Sequence, residues 1–266
     1  MTDELEKLVT AVSRSAKYRH LNPDLIQRIG ARELVARRTY KEAVKSTKNK
    51  LHQVGGAYFA ARIDYDAALA RLQKTRDDPV AFRQTCRDLM ALHASTRERL
   101  PILDGFYRNI LADLSPIRSV IDVACGLNPL AWPWMPLAEG ASYHAYDIYG
   151  DMTGFLQGFF ELLGVNGRAQ TRDVIGQPPE ETADIAFILK TLPCLEQVDK
   201  TAAARLLDNL NARYLLISYP ARSLGGRRKG MVENYTTHFE KLADGRNWRV
   251  RRFEFEMELA FLVEIT

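Results

Sequence analysis

Up to about residue 114 the apolar positions recur at helical spacing. Leu25, Ile26 and Ile29, followed by Leu34 and Val35, form a stripe among basic residues, the pattern of a helix with one buried face. Pro23 suits the first turn of that helix, where its missing N–H has no partner to lose, and Asn22 is placed to cap it. Gly55-Gly56 interrupts a Lys-rich helical run, and residues 60–72 and 79–92 read as two further helices. Ser95-Thr-Arg-Glu98 has capping-box spacing, with Leu100, Leu103 and Tyr107 continuing an apolar face behind it. Pro101 falls within that helix and predicts a kink.

The texture changes at Leu114-Ser-Pro116. Short apolar runs at 119–124, 142–146, 169–174, 185–189 and 214–218 then alternate with helical stretches. Two closing runs, 250–256 and 259–265, are near enough to pair as an antiparallel hairpin through Met257 and Glu258. Alternation of this kind predicts βα units, a mostly parallel sheet and ligands at its carboxyl edge. Five βα units with a terminal hairpin resemble the class I SAM-dependent methyltransferase fold: α/β, Rossmann-like and seven-stranded. The expected division is a helical N-terminal domain over 1–114 and a catalytic domain over 115–266.

Composition narrows the setting. The three cysteines, Cys86, Cys125 and Cys194, are widely spaced and form no CxxC pair, so neither zinc nor a disulfide framework is indicated. A reduced, cytoplasmic compartment is the expectation. The first residues carry acids and lack a signal peptide's apolar segment, and no run is long enough to span a membrane. Net charge is only +4, yet residues 14–50 hold eleven Lys/Arg against three acids, a local +8 that leaves the remainder at −4. Arg222, Arg227, Arg228 and Lys229 make a second basic knot. Such asymmetry points to a polyanionic partner, with a solvated helix face as the alternative.

The chemistry concentrates at the strand ends. Asp122-Val-Ala-Cys-Gly-Leu-Asn-Pro129 ends an apolar strand in a small-residue turn, where Gly126 lets backbone approach a ligand. A pyrophosphate loop needs G-x-G-x-x-G, and only one glycine is present, so a cofactor without pyrophosphate suits the turn better than NAD. About twenty residues on, the second strand ends in Asp147, placed to accept hydrogen bonds from a ribose diol. A third ends in Arg172-Asp173-Val174, a carboxylate for an adenine amine beside an apolar surface for the ring. Each acid alone is equally a helix cap. Together at successive βα turns they indicate S-adenosylmethionine (SAM), with S-adenosylhomocysteine (SAH) as product.

The fourth strand runs through Leu189 and Lys190 into Thr191-Leu-Pro-Cys-Leu-Glu196, facing the acceptor. The Asn/Asp-Pro-Pro-aromatic turn of exocyclic-amine methylation is absent. Pro193-Cys194 superficially resembles the nucleophile of cytosine-C5 enzymes, but no activating neighbour is evident. A ring nitrogen such as guanine N7 needs neither device, since its lone pair is free and positioning carries the catalysis. Lys190 either positions the base or phosphate or merely ends a strand. Ser223-Leu-Gly-Gly-Arg-Arg-Lys-Gly230 reads as a basic loop for an RNA backbone, or as a plain surface loop.

Five blocks in this order resemble one family: Lys50-Leu-His-Gln-Val-Gly-Gly-Ala-Tyr58, His93-Ala-Ser-Thr-Arg-Glu-Arg99, Ala124-Cys-Gly-Leu-Asn-Pro-Leu130, Lys190-Thr-Leu-Pro-Cys-Leu-Glu196 and Ser218-Tyr-Pro-Ala-Arg-Ser-Leu-Gly-Gly-Arg227. It is the aminoglycoside-resistance 16S rRNA (guanine(1405)-N(7))-methyltransferase family. The resemblance implies a helical RNA-binding domain and a class I catalytic domain acting on 16S rRNA in the assembled 30S subunit. It implies that Tyr58, His93, Ala94, Ser95 and Arg99 reach the SAM pocket, Arg99 gripping the methionine carboxylate. Ala124 and Gly126 would line the methionine, Asp147 the ribose and Asp173-Val174 the adenine, with Leu189 and Gln197 completing the pocket. RNA contacts are expected at Lys17, Arg19, Arg222, Ser223, Arg227, Arg228 and Lys229, with Lys190 as a positioning group, no metal, and a monomer. Alternatives are adenine-N1 methylation at a neighbouring position, a non-catalytic ribosome-binding factor, and a small-molecule methyltransferase.

Overall fold

The computed structural model describes residues 2–56, 63–114, 116–221 and 230–266. Tyr58 and the loop carrying Arg222, Ser223, Arg227, Arg228 and Lys229 lie outside the described residues.

Three helices open the chain: α1 (Thr2–Ser13), α2 (Pro23–Ala36) and α3 (Tyr40–Leu51). As expected, Asn22 caps α2, its side chain accepting from the Leu25 N–H, with Pro23 in the first turn. Leu8, Val12, Leu25, Ile26, Ile29 and Leu51 close a core of their own. Gly30 lets α1 approach α2, because a Cβ there would stand 2.5 Å from Leu8 Cδ2.

Four more helices follow: α4 (Tyr65–Thr75), α5 (Pro79–Met90), α6 (Ala94–Arg99) and α7 (Leu103–Leu111). The capping box expected at Ser95 is absent. Instead the N-cap of α6 is His93, two residues earlier, whose side chain makes no cap bond, so Ser95 sits inside the helix. The reciprocal box occurs at Thr39 and Glu42, at the start of α3. Pro101 lies in a 3-10 turn over Leu100–Ile102, which makes the expected break between α6 and α7.

The sheet has order β3-β2-β1-β4-β5-β7-β6. Its strands are β1 (Ile117–Val123), β2 (Leu137–Asp147), β3 (Asn166–Thr171), β4 (Thr182–Leu189), β5 (Asn211–Pro220), β6 (Trp248–Glu254) and β7 (Glu258–Ile265). The first five pair in parallel, and β7 pairs antiparallel with both β5 and β6. Both faces are covered, which is why the central strands read as continuous apolar runs. Side-chain alternation splits them cleanly: Val120, Ile185, Phe187 and Leu216 join one core, and Ile121, Ala186, Ile188 and Leu215 join the other. The first core is shared with α4, α5, α7 and α8 (Gly150–Leu163), so apolar packing runs unbroken from residue 68 into the strands. The second takes in α10 (Ala202–Asn209) and Phe239 of α11 (Met231–Ala243).

The N-terminal bundle docks at the carboxyl end of β2. Leu21 bridges Tyr149, the Asn22 N–H donates to the Ile148 carbonyl at 2.8 Å, and the Gly150 N–H donates to the His20 carbonyl at 2.7 Å. Ile148 and Tyr149 pack against the bundle's apolar core.

Candidate functional site

At the sheet's carboxyl edge lies a cleft of about 860 Å³, counted out to its open mouth. Three residues around it hold left-handed backbone: Ala124 (φ 50°) and Gly126 (φ 52°) after β1, and Lys190 (φ 59°) after β4. Two of the three carry a Cβ, and strained backbone of this kind concentrates where chains approach ligands. Gly126 is confined further by the His93 ring, 2.8 Å from where a Cβ would stand. Any side chain there meets both strain and an aromatic wall.

Asp147 ends β2 and faces the cleft. Its Oδ2 accepts from the Gly126 N–H at 2.9 Å and its Oδ1 from the Ile148 N–H at 2.7 Å. Burial pushes its carboxyl up to about 6, while these backbone N–H groups hold it down. A carboxylate fixed at both oxygens and still facing a cavity suits a vicinal diol. Asp173 and Val174 also line the cleft, in the turn beyond β3 rather than on the strand. Asp173 is gripped by Arg28 of α2, Nε to Oδ2 at 2.5 Å and Nη2 to Oδ1 at 2.9 Å.

His93, Ser95, Ala124, Leu189 and Lys190 line the same cavity. Burial lowers His93 to about 4, with Lys190, Arg97 and Arg99 adding to the effect, so its imidazole is neutral at pH 7. Lys190 is buried and held by Glu98 Oε2 (2.8 Å), the Ser95 carbonyl (3.2 Å) and Glu258 Oε2 (3.4 Å). This ammonium ties α6 to the end of β4, and the alternative of a surface lysine is not what the structure holds.

Arg99 sits elsewhere. It is 1% exposed and grips Glu258 bidentately, Nε to Oε2 at 3.0 Å and Nη2 to Oε1 at 2.7 Å. Its Nη1 donates to Asn128 Oδ1 at 2.7 Å. The carboxylate it holds is therefore the chain's own, and Arg99 is not among the residues facing the cleft. Burial favours the neutral acid at Glu258, but Arg99 and Lys190 keep its carboxyl below the ordinary range. Behind this pair, Asp122 accepts from Tyr143 Oη at 2.6 Å and Asn128 Nδ2 at 2.9 Å, and Tyr107 bonds Asn128.

Ala94 is buried away from the cavity, and Gly126 contributes its N–H to Asp147 rather than a lining surface. Gln197 is exposed, because α9 (Leu192–Val198) turns Cys194, Leu195 and Val198 to the cleft and leaves the intervening position to solvent. Lys17 and Arg19 are exposed on the bundle, bonded to His52 and His20 respectively. Four of the eleven cations of 14–50 are paired with acids: Arg28 with Asp173, Arg32 with Asp199, and Arg37 and Lys50 with Glu33. The outward field comes from the rest, with Arg14, Arg38, Lys41 and Lys45 also exposed. Among the described residues no His/Cys/Asp/Glu cluster suits a metal, and no helix is long and apolar enough to cross a membrane.

Sequence reading missed Arg28 and Glu258. Arg28 counted only as bulk positive charge, although its place one turn after Leu25 sets it on the shoulder of the buried stripe. Glu258 read as a hairpin residue, and an acid heading an otherwise apolar strand was its one signal.

Residues 14–262 match the family described as Ribosomal RNA methyltransferase (FmrO). The chain is 36% identical over 266 residues to a 16S rRNA (guanine(1405)-N(7))-methyltransferase of Micromonospora echinospora, covering 98% of this chain and 97% of the relative. A protein of the same description from Frankia casuarinae is 38% identical over 264 residues, covering 97% and 93%. Among solved structures, the 16S rRNA methyltransferase RmtF in complex with S-adenosyl-L-homocysteine superposes with a TM-score of 0.81 at 31% identity over 100% of both chains.

Proposed function

The chain belongs to the ribosomal RNA methyltransferase (FmrO) family, and on that premise we propose that it transfers a methyl group from SAM to N7 of guanine 1405 in 16S rRNA, conferring aminoglycoside resistance. The observation that carries this reading is the cleft at the sheet's carboxyl edge. There a buried acid fixed by two backbone N–H groups, a second acid beside an apolar surface, and a neutral imidazole converge.

The residues present fit SAM. Asp147 accepts the ribose hydroxyls, and Asp173 with Val174 takes the adenine amine and ring face. Gly126 admits the His93 ring, 2.8 Å from where a Cβ would stand, and that ring walls the side of the cleft left to the amino-acid arm. When bound, SAM supplies an electrophilic methyl on a sulfonium. The chain's own contribution is placement. The guanine N7 lone pair lies in the ring plane, so no proton must leave before transfer and no general base is needed. Lys190 does not repel the cationic sulfonium, because Glu98 and Glu258 compensate its charge. It acts instead as a positioning residue that fixes the Ser95 carbonyl against the end of β4.

The exposed cations of the bundle, Lys17 and Arg19 included, supply the sequence-independent grip on RNA phosphates. Arg222, Ser223, Arg227, Arg228 and Lys229 extend it. The substrate is the assembled 30S subunit, met by a monomer whose bundle and catalytic part form one RNA-facing surface. Methylation adds a positive charge and removes a hydrogen-bond acceptor where a cationic drug binds. Incubating the protein with labelled SAM and, separately, 30S subunits, protein-free 16S rRNA and 50S subunits tests this. Incorporation into 30S alone is expected, and equal labelling of protein-free rRNA contradicts the assembled-subunit reading.

A further inference from the structure

We propose that Arg28, on the N-terminal helical bundle, is a cofactor-recognition residue that completes the adenine end of the SAM pocket. The inference rests on the cofactor reading above. Arg28 and Leu25 are the two residues of α2 that line the cleft, three positions apart on one helix face. Two of the three guanidinium nitrogens hold Asp173 in a fork, and the Asp173 side chain is only 4% exposed. The third, Nη1, is buried with no hydrogen-bond partner among the described residues.

A buried guanidinium N–H without an acceptor is unfavourable, and natural sites rarely retain one without a role. The neighbouring acid of the cleft does not meet it, because Asp199 is engaged by Arg32 at 3.0 Å and Arg205 at 2.6 Å. Beside the pair lies the turn surface of Val174 and Ile175 that suits a purine face. Adenine presents the complementary pattern: an exocyclic amine that donates, next to ring nitrogens that accept. Asp173 takes the amine while Arg28 Nη1 donates to an adjacent ring nitrogen, so one ion pair reads both. Asp173 comes from the turn after β3 and Arg28 from the N-terminal bundle. The adenine subsite is thus assembled by both parts of the chain.

Calorimetric titration of the full chain with SAH, and with its 1-deaza and 7-deaza adenine analogues, tests the assignment. Arg28→Met should weaken SAH binding by at least about tenfold. Arg28→Lys should recover only part of that loss, because an ammonium cannot make the fork and donate onward at once. One deaza analogue should bind the unaltered chain more weakly than SAH, yet bind Arg28→Met with the affinity SAH shows there. That coupling separates ring contact from mere support of Asp173. The double variant Arg28→Met/Asp173→Asn, which strands no acid, guards against a folding defect and should show the same insensitivity. If Arg28→Met binds SAH within twofold of the unaltered chain, or both analogues discriminate equally in the two proteins, the assignment is wrong. If the unaltered chain binds no SAH, the cofactor reading itself falls.

Discussion

Glu258→Gln is the most informative single change to the buried charge network. Glu258 has no accessible side-chain surface, and its two oxygens receive Arg99 Nη2 at 2.7 Å and Ser218 Oγ at 2.6 Å on one side, and Arg99 Nε at 3.0 Å and Lys190 Nζ at 3.4 Å on the other. Glutamine keeps the shape and one acceptor, but its amide N–H₂ then faces donors, and Arg99 loses the charge that compensates it. Removing one partner of a buried ion pair costs about 3–5 kcal/mol, against a total stability of roughly 5–15 kcal/mol. At about 2–4 °C per kcal/mol for a chain of this size, the melting temperature should fall by about 6–20 °C. Calorimetry or thermal CD at pH 7.5 reads this, and the exposed pair of Arg252 and Glu254 at 2.9 Å provides the control. Glu254→Gln should change stability by less than about 1 kcal/mol. A shift below about 2 °C for Glu258→Gln would refute the idea that this ion pair braces the base of the site.

Two acids give pH signatures of opposite use. Asp147, pushed up to about 6, must be ionised to accept the ribose, so SAH affinity should fall as pH drops below 6, and Asp147→Asn should bind weakly at every pH; a flat profile removes Asp147 from the ribose site. Asp122 is pushed up to about 7 by burial, from an ordinary value of 3.8. Its folded pKa exceeds its unfolded one, so the folded chain binds more protons between those values, and this group's contribution to stability declines as pH rises through about 4 to 7. Asp122→Asn keeps an acceptor for Tyr143 and Asn128 and should therefore gain stability relative to the unaltered chain between pH 5 and pH 8, by order 1–4 kcal/mol; a pH-independent difference contradicts the buried-charge argument. Replacing Arg227, Arg228 and Lys229 together by Ala should leave SAH affinity unchanged while weakening 30S binding and flattening its salt dependence, and an unchanged salt slope removes the loop from the RNA surface.

Much of the fold was legible because its signals are local. Four of the five parallel strands and the hairpin announced themselves as apolar runs, and Asn22-Pro23 named the start of α2. Where the reading slipped, longer-range forces decided. β2 starts at Leu137, well before the apolar run, because pairing with β1 through an irregular register carries strand geometry across Glu139 and Gly140. β3 covers Asn166–Thr171, an edge strand with few apolar residues, so hydrophobicity alone placed it too late. Ser95 had capping-box spacing, yet Thr96 Oγ1 bonds the Met90 and His93 carbonyls and the helix begins earlier. The helix-to-strand switch near 115 marks no break in packing, since α4, α5 and α7 share the sheet's core, which only the folded chain reveals.

Within the site, Asp147, Asp173 and Val174 were readable because strand ends in such sheets converge on one edge. Arg28 was not, since nothing in one sequence brings residue 28 to residue 173. Arg99 and Glu258 are likewise separated by 159 positions, and a guanidinium expected to wait for a ligand's carboxylate holds an internal one.

The central claim is tested most directly by nucleoside-resolved mass spectrometry of 16S rRNA from 30S subunits methylated by this chain. One added methyl at N7 of guanine 1405 is the predicted result. A methylated adenine nearby, or no methylated nucleotide in the decoding site, would contradict it.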